Sequence, residues 1–216
     1  MEVLSPAMID RIVIRELLDN WILYRDGGDW ERFATLWHPD GWMITTWFQA
    51  SARDFIARSR EAWADGMKVY HSQGGMTVDI RGKRAVAQTK MKIMQRSAID
   101  GVPVDVICYG RFWDALEKID GCWLLRLRQP IYELDHIVAL DPNRALVLDP
   151  AKLAAFPEGY RHLAYLQAGL GFEVETDLPG TRGREIEALM TRGTLWLDGN
   201  LPDCLMTPPI PPMDAS

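Results

Sequence analysis

Cysteine is scarce in this 216-residue chain: Cys108, Cys122 and Cys204 are the only three, an odd number with no C-x-x-C spacing. That argues against a disulfide framework and fits thiols kept reduced in a cytoplasm. Basic charge is also short, with 24 Lys and Arg against 30 Asp and Glu. The net charge of −6 argues against nucleic acid or an anionic membrane as partner, because phosphate binding wants clustered cations. No apolar run is long enough to span a bilayer, and the opening MEVLSPAMIDR lacks a basic segment leading into an apolar one. The expected location is therefore cytoplasmic. Internal repeats are absent, and 48% hydrophobic with 25% charged residues excludes disordered and fibrous classes.

What the chain has in excess is tryptophan, nine residues concentrated in the first two thirds. Such side chains line a pocket for a flat substrate or fill a core, and most are expected in the core. The most informative stretch is RELLDNWILYRDGGDWERFATLWH, residues 15–38. Ile14, Leu17, Leu18, Trp21 and Ile22 recur at helical spacing and predict a buried stripe on a helix over residues 6–26. Asp26 falls where that stripe ends. A carboxylate in the last turn of a helix opposes the helix dipole, and Gly27-Gly28 then release the backbone. Asp29 is the better N-cap for the next helix, residues 29–37, so Asp26 is either a turn-forming residue or a functional one.

Beyond this, Trp42 to Phe48 reads as a strand, residues 52–65 as a helix, and 76–80, 85–96, 104–116 and 122–133 as strands joined by turns at Arg81-Gly82-Lys83, Asp100-Gly101 and Asp120-Gly121. Helices followed by a meander of antiparallel strands make an α+β fold. Past His136 the texture changes to two helical stretches, 149–168 and 182–197, and a proline-rich tail, PPIPPM, expected to be extended. The division is thus residues 1–136 as one domain and 137–216 as a helical extension, apolar enough to pack on the domain or on a neighbouring subunit.

Three segments resemble the SnoaL-like branch of the nuclear transport factor 2-like superfamily: IRELLDNWILYRDGGDWERFATLWHPDG, YHSQGGMTVDIRGKRA and YGRFWDALEKIDGCWLLRLRQPIYELD. The resemblance covers residues 6–136. It implies a cone-shaped curved antiparallel sheet wrapped around helices, a mostly apolar pocket, no obligatory metal or organic cofactor, and a dimer or trimer formed through the open sheet face, where Met91 and Ile93 would otherwise be exposed. It also implies site residues. Asp26 and His71 match the acid and histidine that dehydratases and dehydrochlorinases of this fold use together. The chemistry wants the pair, since a carboxylate fixes one imidazole tautomer and stabilises the imidazolium formed on proton uptake. His71 read by itself is more commonly a hydrogen-bonded residue at a loop edge.

Scytalone dehydratases resemble the chain around KIDGCW and MQRS, with departures that argue against a scytalone-like substrate. Their second pocket histidine falls on Met94, their water-holding tyrosines on Arg25 and near Thr45, and their substrate-binding serine on Gln129. If Met94 points inward, Lys92 shares its face, either as a functional cation or on a solvated face. Trp21 and Trp47 are the expected stacking partners of a substrate ring. The resulting expectation is a cofactor-independent lyase for a small aromatic substrate, with the diaryl formaldehyde lyases acting on lignin-derived dimers as the preferred version. The alternatives are a dehydratase or dehydrochlorinase on another ring compound, and a non-catalytic binding or scaffold protein.

Overall fold

The computed structural model describes residues 4–200 and Leu205; the proline-rich tail and Cys204 lie outside the described residues. Helix α1, Pro6–Gly27, opens with the Ser5 side chain accepting from the Met8 amide and closes at Gly28 in the left-handed region, φ 72°. Those two residues supply what a helix start and stop require, a side-chain acceptor and freedom at positive φ. Asp29 caps α2, Trp30–Thr35. Strands β1, Trp37–Ile44, and β2, Gln49–Ser51, lead to α3, Ala52–Ala64. The strand expected at 42–48 thus starts earlier and breaks after Ile44. The Thr45 hydroxyl takes the Phe48 amide at 3.0 Å and turns the chain there, a local competition that Thr wins against a ladder.

Four long strands follow: β3, Lys68–Arg81, β4, Arg84–Ile99, β5, Val102–Ile119, and β6, Cys122–Ala139. The β4–β5 and β5–β6 hairpins turn at Asp100-Gly101 and Asp120-Gly121, all four residues with positive φ, as tight hairpin turns demand. The sheet order is β2-β1-β6-β5-β4-β3. The β1–β6 pair runs parallel, so the sheet is mixed rather than wholly antiparallel. β3 is far longer than the 76–80 expected from sequence, because Gly74-Gly75 sit at a register shift between Gln73 and Met76 instead of breaking the strand. Such bulges bend a sheet, and further shifts at Tyr109/Gly110 and Ala115/Leu116 add curvature.

Helices pack on both faces of the sheet, on the outer face over only part of it. On one, α1, α2, α3 and the second helix of the extension enclose the main core around Trp21, Phe33, Phe55, Phe112 and Leu163. On the other, α6, Arg184–Leu197, packs Leu189 and Trp196 against Trp113, Leu127 and Ile131. Two-sided cover explains why Phe112 to Leu116 are buried without alternation. The helix expected over 149–168 is interrupted at Pro157, giving α4, Pro150–Ala154, a 3-10 turn at Glu158–Tyr160 and α5, Arg161–Gly169; proline cannot continue the backbone ladder. Met91, 4% exposed, and the partly buried Ile93 lie on the inner face, so they are not the apolar residues of the open face. That face instead exposes Tyr70, Tyr109, Leu134 and Val138. No described helix is long and apolar enough to cross a membrane.

Candidate active site

Between α1 and the inner face of the sheet lies a hollow of about 60 Å³. α1 brings Trp21 and Arg25 to it from positions i and i+4, which share a helix face. β3 brings His71, and the turn after β1 brings Thr45, Thr46 and Trp47. Leu163, Gln167 and Phe172 come from the extension, which therefore forms part of the wall. A wider recess of about 440 Å³ adjoins it and shares Trp47, Met67, Gln95 and Phe172.

Asp26 grips His71 twice. Its Oδ2 accepts the His71 backbone N–H at 2.7 Å, and its Oδ1 stands 2.7 Å from ring Nδ1. An ionised carboxylate only accepts, so Nδ1 carries the proton and Nε2 is left with a free lone pair. Arg25 donates from Nη1 to the same Oδ1 at 3.2 Å. Trp21 meets the imidazole edge to face, ring centroids 5.5 Å apart. Burial pushes the His71 pKa down, the Asp26 hydrogen bond opposes this, and the charges of Arg25 and Arg128 add to the depression. Burial pushes Asp26 up, but the hydrogen bond from His71 and the nearby cations outweigh it and hold the carboxyl below its usual value. Both directions describe one state, a neutral imidazole beside an ionised carboxylate.

The same double grip recurs elsewhere: Asp135 takes the His162 backbone N–H at 2.7 Å and faces its Nδ1 at 2.8 Å. There the carboxylate also accepts from the Leu163 amide at 2.9 Å and so caps the start of α5, and His162 lines neither the hollow nor the recess. Geometry of the pair is therefore shared between a cap and a candidate site. What sets His71 apart is its place in the hollow, beside the buried Arg25 guanidinium that shares its carboxylate.

Of the residues singled out from sequence, Trp21, Arg25, Thr45, Trp47 and His71 line the hollow, with Asp26 behind His71. Lys92, Met94 and Gln129 do not. Ile93 and Gln95 line it, and strand alternation turns Lys92 and Met94 to the opposite face. Pro130 and Tyr132 likewise line it, leaving Gln129 on the side of its register partner Trp113, beneath α6. Sequence reasoning missed Thr46, Gln95, Gln167 and the Asp114 partner of the wholly buried Arg128, whose guanidinium lies 4.3 Å from both the Trp21 and Phe112 ring centroids. Only the inward parity of β4 and β6 could have flagged Gln95 and Arg128. Among the described residues, no three His, Cys, Asp or Glu side chains gather to hold a metal ion.

Comparison with known proteins gives this geometry its context. A family model for the SnoaL-like domain matches residues 6–129. The chain belongs to the SnoaL-like domain family. Its members share the nuclear transport factor 2-like fold, a curved mixed sheet with helices that does not close into a barrel. The chain is similar to pea pathogenicity protein 2 of Fusarium vanettenii, 38% identical over 81% of this chain and 76% of that one. Among solved structures it is similar to a protein of Novosphingobium aromaticivorans provisionally named scytalone dehydratase, 20% identical, TM-score 0.52, covering 65% of this chain and 97% of the other. It is also similar to a hexachlorocyclohexane dehydrochlorinase of Novosphingobium barchaimii, 13% identical, TM-score 0.52, covering 66% and 97%. At such identities the two structures establish a common fold, and the fold hosts many chemistries. The matched family segment ends before α5, so the wall supplied by Leu163, Gln167 and Phe172 lies outside it.

Proposed function

We propose that this SnoaL-like protein is a cofactor-independent lyase that eliminates a leaving group from a ring compound, with His71 as the base and Asp26 as its orienter. The observation that carries this reading is the neutral, lone-pair-bearing Nε2 of a buried imidazole in a largely apolar hollow, with its other nitrogen held by Asp26 at 2.7 Å. In the elimination, Nε2 takes a proton from a ring carbon, and the C–H electron pair forms the new double bond. The leaving group departs with the electrons of its own bond to carbon. Where it is hydroxide, the imidazolium returns the proton and water leaves. Asp26 stabilises the imidazolium, and the Arg25 guanidinium, sharing that carboxylate, is placed to offset negative charge developing on the substrate. Trp47 offers a ring face, while Trp21, stacked on Phe55 and covered by the Arg128 guanidinium, walls the hollow and keeps water out.

The names of the similar dehydratase and dehydrochlorinase support elimination as the class. A finer version takes a lignin-derived diaryl dimer as substrate. Loss of its benzylic hydroxide, together with the proton of the phenol hydroxyl para to it, gives a quinone methide and water. Deprotonation of the primary alcohol then releases formaldehyde, and the electrons of the broken carbon–carbon bond return to the ring system. What supports it is the recess beside the hollow, whose 440 Å³ leave room for a second ring that the 60 Å³ of the hollow do not.

Product analysis tests both levels. Incubation with hydroxylated and chlorinated ring compounds and with diaryl dimers should yield an unsaturated product plus water or chloride, and formaldehyde only in the finer version. Elimination without formaldehyde removes the diaryl version alone. Absence of turnover on every class, or undiminished turnover by His71→Ala, overturns the lyase reading in favour of a binding protein.

A further inference from the structure

Three uncharged polar side chains close part of the same hollow, and the reaction above uses none of them. The Thr46 hydroxyl donates to Gln167 Oε1 at 2.6 Å, and Gln167 Nε2 donates to Gln95 Oε1 at 3.2 Å. All three are more than nine-tenths buried, at 1%, 4% and 5% exposure. The chain of donors ends on the Gln95 side-chain amide nitrogen, which meets no acceptor among the described residues. Gln95 borders both the hollow and the recess.

Packing alone gives no reason for this arrangement. Gln167 sits on α5 among Leu163, Ala164 and Leu166, all buried, where an apolar side chain fills space without desolvating an amide. Gln95 borders the hollow, and its amide N–H, with no protein acceptor, is free to donate to a ligand oxygen there. The strand register fixes where that ligand atom lies. His71 pairs with Ile93 and Val69 with Gln95, so Gln95 stands two residues along the same strands from the base, about 7 Å at the usual rise. The array carries no charge, which suits a neutral oxygen better than a carboxylate.

We propose that Gln95 is a substrate-binding donor and Gln167 the positioning residue that aims it, so that the site takes ring compounds carrying a carbonyl or hydroxyl oxygen about a ring's width from the carbon that loses its proton. The inference rests on the lyase reading for which end of the substrate reacts, while the oxygen preference itself is a property of binding. The extension thereby sets selectivity through a side chain beyond the matched family segment.

The test uses the full chain labelled with [13C]methyl methionine, since Met43 and Met67 line the hollow. It is titrated with acetophenone and with 2-phenylpropene, which replaces the carbonyl oxygen by a methylene group. The wild type should bind acetophenone about tenfold more tightly, the ratio that one net hydrogen bond supplies. Gln95→Met and Gln167→Met should bring the ratio close to one, while His71→Ala keeps it. In a second sample labelled with 15N, the Gln95 side-chain amide signals should move with acetophenone and stay still with 2-phenylpropene, a readout taken on the wild-type fold. Equal affinity for the two probes, no binding of acetophenone, or a tenfold ratio surviving in both glutamine variants overturns the proposal. A tenfold ratio in a protein that eliminates nothing instead leaves the oxygen site standing and removes the lyase reading.

Discussion

Arg25 and His71 converge on one oxygen of Asp26, the guanidinium Nη1 at 3.2 Å and the imidazole Nδ1 at 2.7 Å from Oδ1. A single carboxylate thus balances a permanent cation and orients a base. When His71 takes a proton, the local charge rises by one, and a substrate that becomes anionic restores the balance. The arrangement is suited to chemistry in which proton removal and charge development on the substrate coincide.

Replacing Asp26 by Asn should lower turnover at least about a hundredfold, the scale of a lost general acid–base arrangement. The imidazole loses the partner that fixes its tautomer, and Arg25 loses its counter-ion. Arg25→Met should reduce kcat more than it raises KM, because the cation acts mainly on charge that develops in the transition state. Steady-state kinetics on one confirmed substrate check both. Unchanged kcat in Arg25→Met would confine that residue to structure.

The pH dependence follows from the direction of the His71 shift. Burial holds its pKa below the ordinary histidine value of about 6.5, so the base stays neutral down to that region. The plot of kcat/KM against pH should have its acid limb below 6.5. In Asp26→Asn the limb should move to still lower pH, since the lost hydrogen bond raised the value. A limb above 6.5 in the wild type contradicts the assigned environment.

Stability carries the same sign. The unfolded chain takes up a proton near pH 6.5 that buried His71 refuses, so its contribution is complete above that pH and declines as pH falls below it. Asp26 has a depressed pKa, so its contribution is lost at lower pH, below the ordinary value of 3.8. Urea melts should therefore show a first loss as pH falls below about 6.5 that is smaller in His71→Phe, the remainder coming from His38, whose pKa burial also lowers.

Asp114→Asn should destabilise the fold by about 3–5 kcal/mol, because Arg128 would keep a wholly buried charge without its bidentate partner. Replacing both residues by apolar ones of similar volume should cost much less than the single change. Chemical denaturation of the three variants gives the comparison.

Gly110→Ala should be among the most damaging small substitutions. A Cβ there would collide with the Ile131 carbonyl oxygen, on a neighbouring strand that cannot yield without breaking its ladder. A loss of about 2 kcal/mol or more is expected, read as a fall in the denaturant midpoint. Gly82→Ala, at a turn with open space around it, should cost only the strain of a positive φ.

Much of the fold was legible in local chemistry. Ser5-Pro6 and Gly28 mark the ends of α1, and Asp100-Gly101 and Asp120-Gly121 mark two hairpins, because caps and tight turns depend on neighbouring residues only. Strand limits were less legible. Gly74-Gly75 reads as a break until a partner strand absorbs it as a bulge, and His71 consequently reads as a loop-edge residue rather than one held within β3. The face taken by Lys92, Met94 and Gln129 stayed open in sequence for a related reason: one residue of register reverses every side chain of a strand, and register is fixed by pairing.

The sequence by itself determined the amphipathic stripe of α1, the Asp26 that ends it, the turn residues, and the α+β order of elements, all of which follow from periodicity and from backbone preferences within a few residues. Tertiary structure alone decided that Arg25 and His71 would share one carboxylate oxygen, that Arg128 would be sealed between Trp21 and Phe112, and that Gln167 would reach Gln95. Those contacts join residues far apart along the chain, and their positions depend on curvature and register that arise only when the strands pair and the helices close over them.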